Sequence, residues 1–136
     1  MSRPFELWFP YCPKWKSNRS REKQDQLVVK LRDLPESRRV AEQERVYEEL
    51  KAKAPEELIQ TEPGQYIMKL SRARVELVRE TVAKHLISFS PFAVVEADGN
   101  EREIKTLDEM WADCSDLVSE LYARLLNGPD ADELKN

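Results

Sequence analysis

Asp113, Asp116 and Glu120 are spaced i, i+3 and i+7, and on a helix that spacing brings three carboxylates toward one side, where a hard cation such as calcium could bind. An apolar stripe runs through the same stretch, so the three acids are expected to form the solvated back of an amphipathic helix rather than a metal site. His85 is the sole histidine. It has no cysteine or acid at ligand spacing, so it is expected at the surface or core edge and not as a ligand or general base. Cys12 and Cys114 lack a partner spacing. Also missing are a glycine-rich phosphate loop, a nucleophile elbow, a His-Glu-x-x-His run and a Cys-x-x-Cys pair, and the chain has only 3 glycines from which to build mobile loops. The expectation is therefore a protein with no catalytic residues, no metal and no cofactor.

These residues sit in 136 amino acids, long enough for one domain to bury a core without disulfide or metal staples. With 40% hydrophobic and 35% charged residues the composition is that of a charged globular protein, not a disordered one. There is no signal peptide and no apolar run of membrane-spanning length, so no membrane partner is expected and the cytoplasm is the expected compartment. A net charge of −4 weighs against nucleic acid, because phosphate binding needs clustered positive charge. That charge is unevenly spread: residues 1–54 sum to +4, residues 55–95 to zero and residues 96–136 to −8. The polarity fits solvated helix faces, and it also allows head-to-tail association into a homo-oligomer.

The strongest single element is a helix over 107–126. Thr106 and Glu109 have capping-box spacing, Asn127-Gly128-Pro129 is a stop, and Leu107, Met110, Trp111, Cys114, Leu117, Val118, Leu121, Tyr122, Leu125 and Leu126 recur at helical spacing. Upstream, Phe5–Phe9 has strand character between Pro4 and Pro10, and Leu27–Leu34 alternates like a second strand, so the two are expected to pair as an antiparallel hairpin. The polar stretch between them, Lys14–Lys23, reads as a mobile solvated loop.

Pro35 and Glu36 open a helix over 36–53. Its stripe of Val40, Val46, Tyr47 and Leu50, with Ala41, is thin for a buried helix. Those four residues are the candidate partner-binding face, to be covered by a client helix or a second copy. Residues 55–59 suggest a helical turn, and Thr61–Gly64 a turn and a subdomain boundary. A second core helix is expected from Gln65 to about Phe89. Phe92–Asn100 reads as a short extended run into an Asp98-Gly99 turn, after which Arg102–Lys105 could return as a second strand of a hairpin, an irregular excursion being equally compatible. The result is an α+β fold, helix-dominated, over a single domain of residues 1–136. It has a strand region at 1–34 that forms a short N-terminal β-hairpin, a helical region at 35–128 with two or three packed amphipathic helices, and a frayed tail at 129–136.

The order of these elements resembles the tail assembly chaperones of long-tailed bacteriophages. The resemblance is carried by the aliphatic segment Leu27–Leu34 ahead of charged helices, by a helix running into Phe92–Gly99, and by the threonine-capped helix from Thr106 to Leu126. It spans the chain from about Leu27 onward and leaves the aromatic, proline-rich start at Phe5–Trp15 unmatched. It implies a non-enzymatic function in the host cytoplasm: binding the tape measure protein, keeping its apolar helices soluble, and helping recruit the tail tube protein. The composition also suits a structural or adaptor protein of a virion, or a small acidic interaction protein that mimics nucleic acid.

Overall fold

In the computed structural model, residues 3–53, 58–62, 65–68 and 72–129 are described. Strand β1 (Trp8–Tyr11) pairs antiparallel with β2 (Val29–Arg32), with Phe9 opposite Leu31 and Tyr11 opposite Val29. These four side chains are buried while Pro10 and Arg32 stay outside, which is the period-2 alternation of a sheet with one covered face. The expected hairpin is therefore present, but β1 is shifted from the expected Phe5–Phe9 to run through Pro10, and β2 is shorter than Leu27–Leu34. Pro10 lies in β1, an edge strand, where its missing N–H is tolerated.

Helix α1 (Glu36–Lys53) has the predicted span. Helix α2 (Arg72–His85) is shorter than expected: Gln65–Met68 is strand β4, pairing with β3 (Leu58–Glu62), and Leu86–Phe89 is strand β5. The helical turn suggested for 55–59 is replaced by β3 at Leu58 and Ile59. Of the turn suggested at Thr61–Gly64, the first two residues are strand and Pro63 and Gly64 lie outside the described residues.

β5 pairs with β2, giving a three-stranded sheet in the order β1-β2-β5. The N-terminal strands are thus closed by a strand from the middle of the chain, and the supposedly helical stretch 35–128 contributes strands throughout. Strands β6 (Phe92–Val95) and β7 (Glu101–Ile104) form the separate hairpin that the Asp-Gly pair allowed. Its three-residue turn closes with Glu96 N–H donating to Asn100 O at 2.9 Å and Gly99 at φ +88°.

The last helix is capped as read, with the Thr106 hydroxyl accepting from Glu109 N–H at 3.1 Å and the Glu109 carboxylate accepting from Thr106 N–H at 3.1 Å. It is not continuous. Cys114 leaves helical geometry (φ −137°, ψ 45°) and divides it into α3 (Leu107–Asp113) and α4 (Ser115–Asn127).

The core lies between the inner face of the β1-β2-β5 sheet and helices α2, α3 and α4. Val29, Leu31, Val82, Ile104, Met110, Leu117, Val118, Leu121 and Leu125 are fully enclosed there. A smaller cluster of Val46, Leu50 and Leu77 joins α1 to α2, and Tyr122 of α4 packs against both clusters. The chain is an α+β single domain. Among the described residues no helix is long and apolar enough to cross a membrane.

Candidate functional site

The three acids of the final helix do not act together. Asp113 binds Arg102 at 2.6 Å, and Arg102 also holds Glu96 at 2.8 Å, fastening the β6–β7 hairpin to the end of α3. Glu120 accepts from the Tyr11 hydroxyl and, at 2.7 Å, from Lys14 N–H, which fixes the segment after β1 to α4. Burial, reinforced by that carboxylate, pushes the Tyr11 hydroxyl up to about 12. Asp116 is exposed. Among the described residues no group of histidine, cysteine and acidic side chains could hold a metal ion.

His85 is not at the surface. It is buried at the end of α2, with Nε2 at 3.7 Å from a Glu42 carboxylate oxygen and with neither ring nitrogen hydrogen-bonded. Burial pushes its pKa below the ordinary value; Glu42 opposes this, and Arg32 and Arg38 add to it. Burial also pushes the Glu42 carboxyl up, but Arg45, Lys84 and His85 outweigh it and hold it low. Arg45 ties the layer together, reaching Glu42 at 3.1 Å, Glu49 at 3.2 Å and the buried Thr81 hydroxyl at 2.9 Å. These groups stitch α1 to α2.

The proposed partner face on α1 is corrected in the same region. Val46 and Leu50 are 1% and 0% exposed because Leu77 and Ala73 of α2 and Tyr122 of α4 cover them. Tyr47 is half-buried with Lys51 near its ring, and Val40 is exposed. Val46 and Leu50 are covered inside the same chain, so these four residues do not form one open face.

Open apolar surface lies instead at the N-terminus. Phe5 is 97% exposed and Leu7 71% exposed, on an extended arm whose Leu7 carbonyl accepts from Asp33 N–H at 2.9 Å and so prolongs the β1–β2 ladder by one bond. The outer face of the sheet is a second exposed surface. Strand alternation places Trp8, Pro10, Val28, Lys30 and Arg32 there, with exposed Ile87 at the irregularity in the β2–β5 register. Lys30 Nζ sits 4.0 Å from the centre of the Trp8 ring. In the sequence the arm read only as part of a strand, since nothing in its composition distinguishes an aromatic that enters the core from one that does not.

The second open feature is a cleft of about 580 Å³ lined by Trp15, Lys16, Arg21, Ala93, Val94, Val95, Glu96, Arg102, Asp113 and Cys114. One wall is the stretch expected to be a mobile loop. It is held by Asn18, whose amide donates to Pro13 O and Leu27 O, both at 2.9 Å, and whose side-chain oxygen accepts from Leu27 N–H at 2.8 Å. Asn18 is buried, and the residues before it, Lys16 and Ser17, both take left-handed backbone conformations (φ 50° and 58°). Two consecutive non-glycine residues there cost on the order of 1–2 kcal/mol each, which the Asn18 bonds help to offset. Trp15 packs edge-on against Phe92 of β6, their ring centres 6.0 Å apart. Cys114 lies at the α3–α4 break, where burial pushes its thiol up, away from the reactive thiolate.

Compared with known proteins, the chain matches no family model, no curated protein and no solved structure.

Proposed function

We propose that the chain is a non-enzymatic tail assembly chaperone of a long-tailed phage, which binds the tape measure protein and assists assembly of the tail tube protein around it. One observation carries this reading: Phe5, Leu7, Val28 and Ile87 each stay exposed although the domain closes its own core. Large apolar side chains left in solvent suit an interaction site. Lys30 and Arg32 stand among these residues, a combination suited to a client helix whose apolar face is bordered by acids. A helical client held there would keep its stripe from aggregating until the tube covers it.

The test is co-expression with the tape measure protein encoded by the same genome. The chaperone reading expects the tape measure protein to move from the insoluble to the soluble fraction and to co-purify with this chain, and expects the chain to be missing from purified particles. Its presence in particles at stoichiometric amount would favour a structural or adaptor protein of the virion instead. A tape measure protein that stays insoluble and unbound would contradict the proposal.

A further inference from the structure

The 580 Å³ cleft is lined by Ala93, Val94, Val95 and Glu96 in unbroken succession. A strand that showed one face would contribute every second residue, so consecutive lining residues mean that the cleft runs along its backbone edge. The hydrogen-bond register agrees. Glu96 and Asn100 form a bonded pair, which by antiparallel alternation directs the N–H and C=O of Val94 toward β7 and those of Ala93 and Val95 away from it. Among the described residues β6 pairs with β7 and with no other strand. Its second edge therefore offers donors and acceptors to whatever enters the cleft.

The opposite wall is chemically different. Trp15 presents an aromatic ring, and Lys16 and Arg21 are exposed cations on the rim. Arg102, the third cation of the lining, is already neutralised by Glu96 and Asp113, so the charge left for a ligand is that of Lys16 and Arg21. The loop that carries Trp15 and Lys16 is locked by Asn18, so this wall exists before any ligand arrives.

From the open β6 edge and its basic, aromatic far wall we infer that the cleft binds an extended acidic segment of a partner protein, which adds to the β6–β7 hairpin as a third strand. Main-chain bonds to Ala93 and Val95 supply the affinity. Aliphatic side chains pack toward Trp15 and Val94, and acidic ones meet Lys16 and Arg21. The inference does not rest on the chaperone reading: it concerns a different surface, and either can fail alone.

The probe is an acetylated, amidated pentapeptide alternating glutamate and valine, with the lysine and valine version as control, titrated into the full chain and followed by amide NMR. The expected result is slowed exchange at the Ala93 and Val95 amides, with shifts at Lys16, Arg21 and the Trp15 indole for the acidic peptide alone. Val95→Pro removes an outward N–H without touching a bond to β7, and is expected to weaken binding at least about tenfold, roughly the loss of one main-chain hydrogen bond. Lys16→Glu with Arg21→Glu is expected to do the same, and carries the test if Val95→Pro disturbs the hairpin. Equal binding of both peptides, shifts that map elsewhere, binding indifferent to these substitutions, or no binding at millimolar peptide would overturn the inference.

Discussion

At the scale of single residues, the structure turns on side chains with little sequence signal. Asn18 was one polar residue in a polar stretch, and only its contacts with Pro13 and Leu27 show it to be the peg that shapes that loop. Nothing local distinguishes an asparagine that caps its own loop from one that faces water. His85 was expected at the surface or core edge because it had no ligand-spaced neighbours; its full burial depends on how α1 crosses α2, which no local spacing encodes. Its burial has a consequence for pH. The folded-state pKa lies below the ordinary value of 6.5, so the neutral form is the one the fold accommodates. The associated stability is complete above about pH 6.5 and is lost as the pH falls from there through the lowered pKa. Arg32 and Arg38 oppose protonation and Glu42 favours it. Thermal melts between pH 7.5 and 5.5 are expected to show a falling midpoint for the parent chain and a flatter profile for His85→Leu. Parallel profiles would show that His85 does not carry the acid sensitivity.

At the scale of elements, the legible parts were those whose signals are local. The capping box at Thr106 and Glu109, the span of α1, the β1–β2 pairing and the Asp-Gly hairpin each depend on residues within a few positions of one another or on simple alternation. The misread parts were decided elsewhere. Leu86-Ile87-Ser88-Phe89 extends the apolar pattern of α2, and a short apolar run fits helix or strand by periodicity alone; pairing with β2 decides it. The break at Cys114 is invisible because the apolar stripe continues through it, Met110 and Leu117 both entering the same core.

The stop after α4 was legible, and the structure shows what it accomplishes. Gly128 adopts φ 72° and ψ −179°, and a Cβ there would approach the Arg39 guanidinium to 2.6 Å, beside the bond from Arg39 to Asn127 O. Gly128→Ala is expected to cost about 1–3 kcal/mol, because that backbone region is nearly confined to glycine and the added methyl disturbs the tie between α1 and α4. Urea denaturation measures it. A loss under about 0.5 kcal/mol would mean that the helix end relaxes freely.

At the scale of the whole molecule, the fold class was legible and the covering of its apolar faces was not. Alternation and helical spacing specify which faces are apolar, but whether a face is covered depends on the other elements of the chain. Val46 and Leu50 on α1 looked uncovered in sequence and are enclosed by α2 and α4, whereas Phe5 and Leu7 looked like ordinary strand residues and stand in solvent. The charge asymmetry remains a property of the sequence, with residues 1–54 at +4 and residues 96–136 at −8. If it aids association, binding weakens as salt screens exposed charges over roughly 8 Å at physiological ionic strength.

The central claim is that the open arm and outer sheet face grip an apolar helical client, and a binding titration tests it most directly. A fluorescently labelled helical fragment of the tape measure protein is titrated with the parent chain and with Phe5→Ser combined with Leu7→Ser, two exposed changes expected to leave the thermal midpoint unaltered. Burial of a large apolar side chain contributes about 1.5–3 kcal/mol, so losing both is expected to weaken binding at least about 100-fold. Equal affinity of the two proteins, or no binding by the parent chain, would contradict the account.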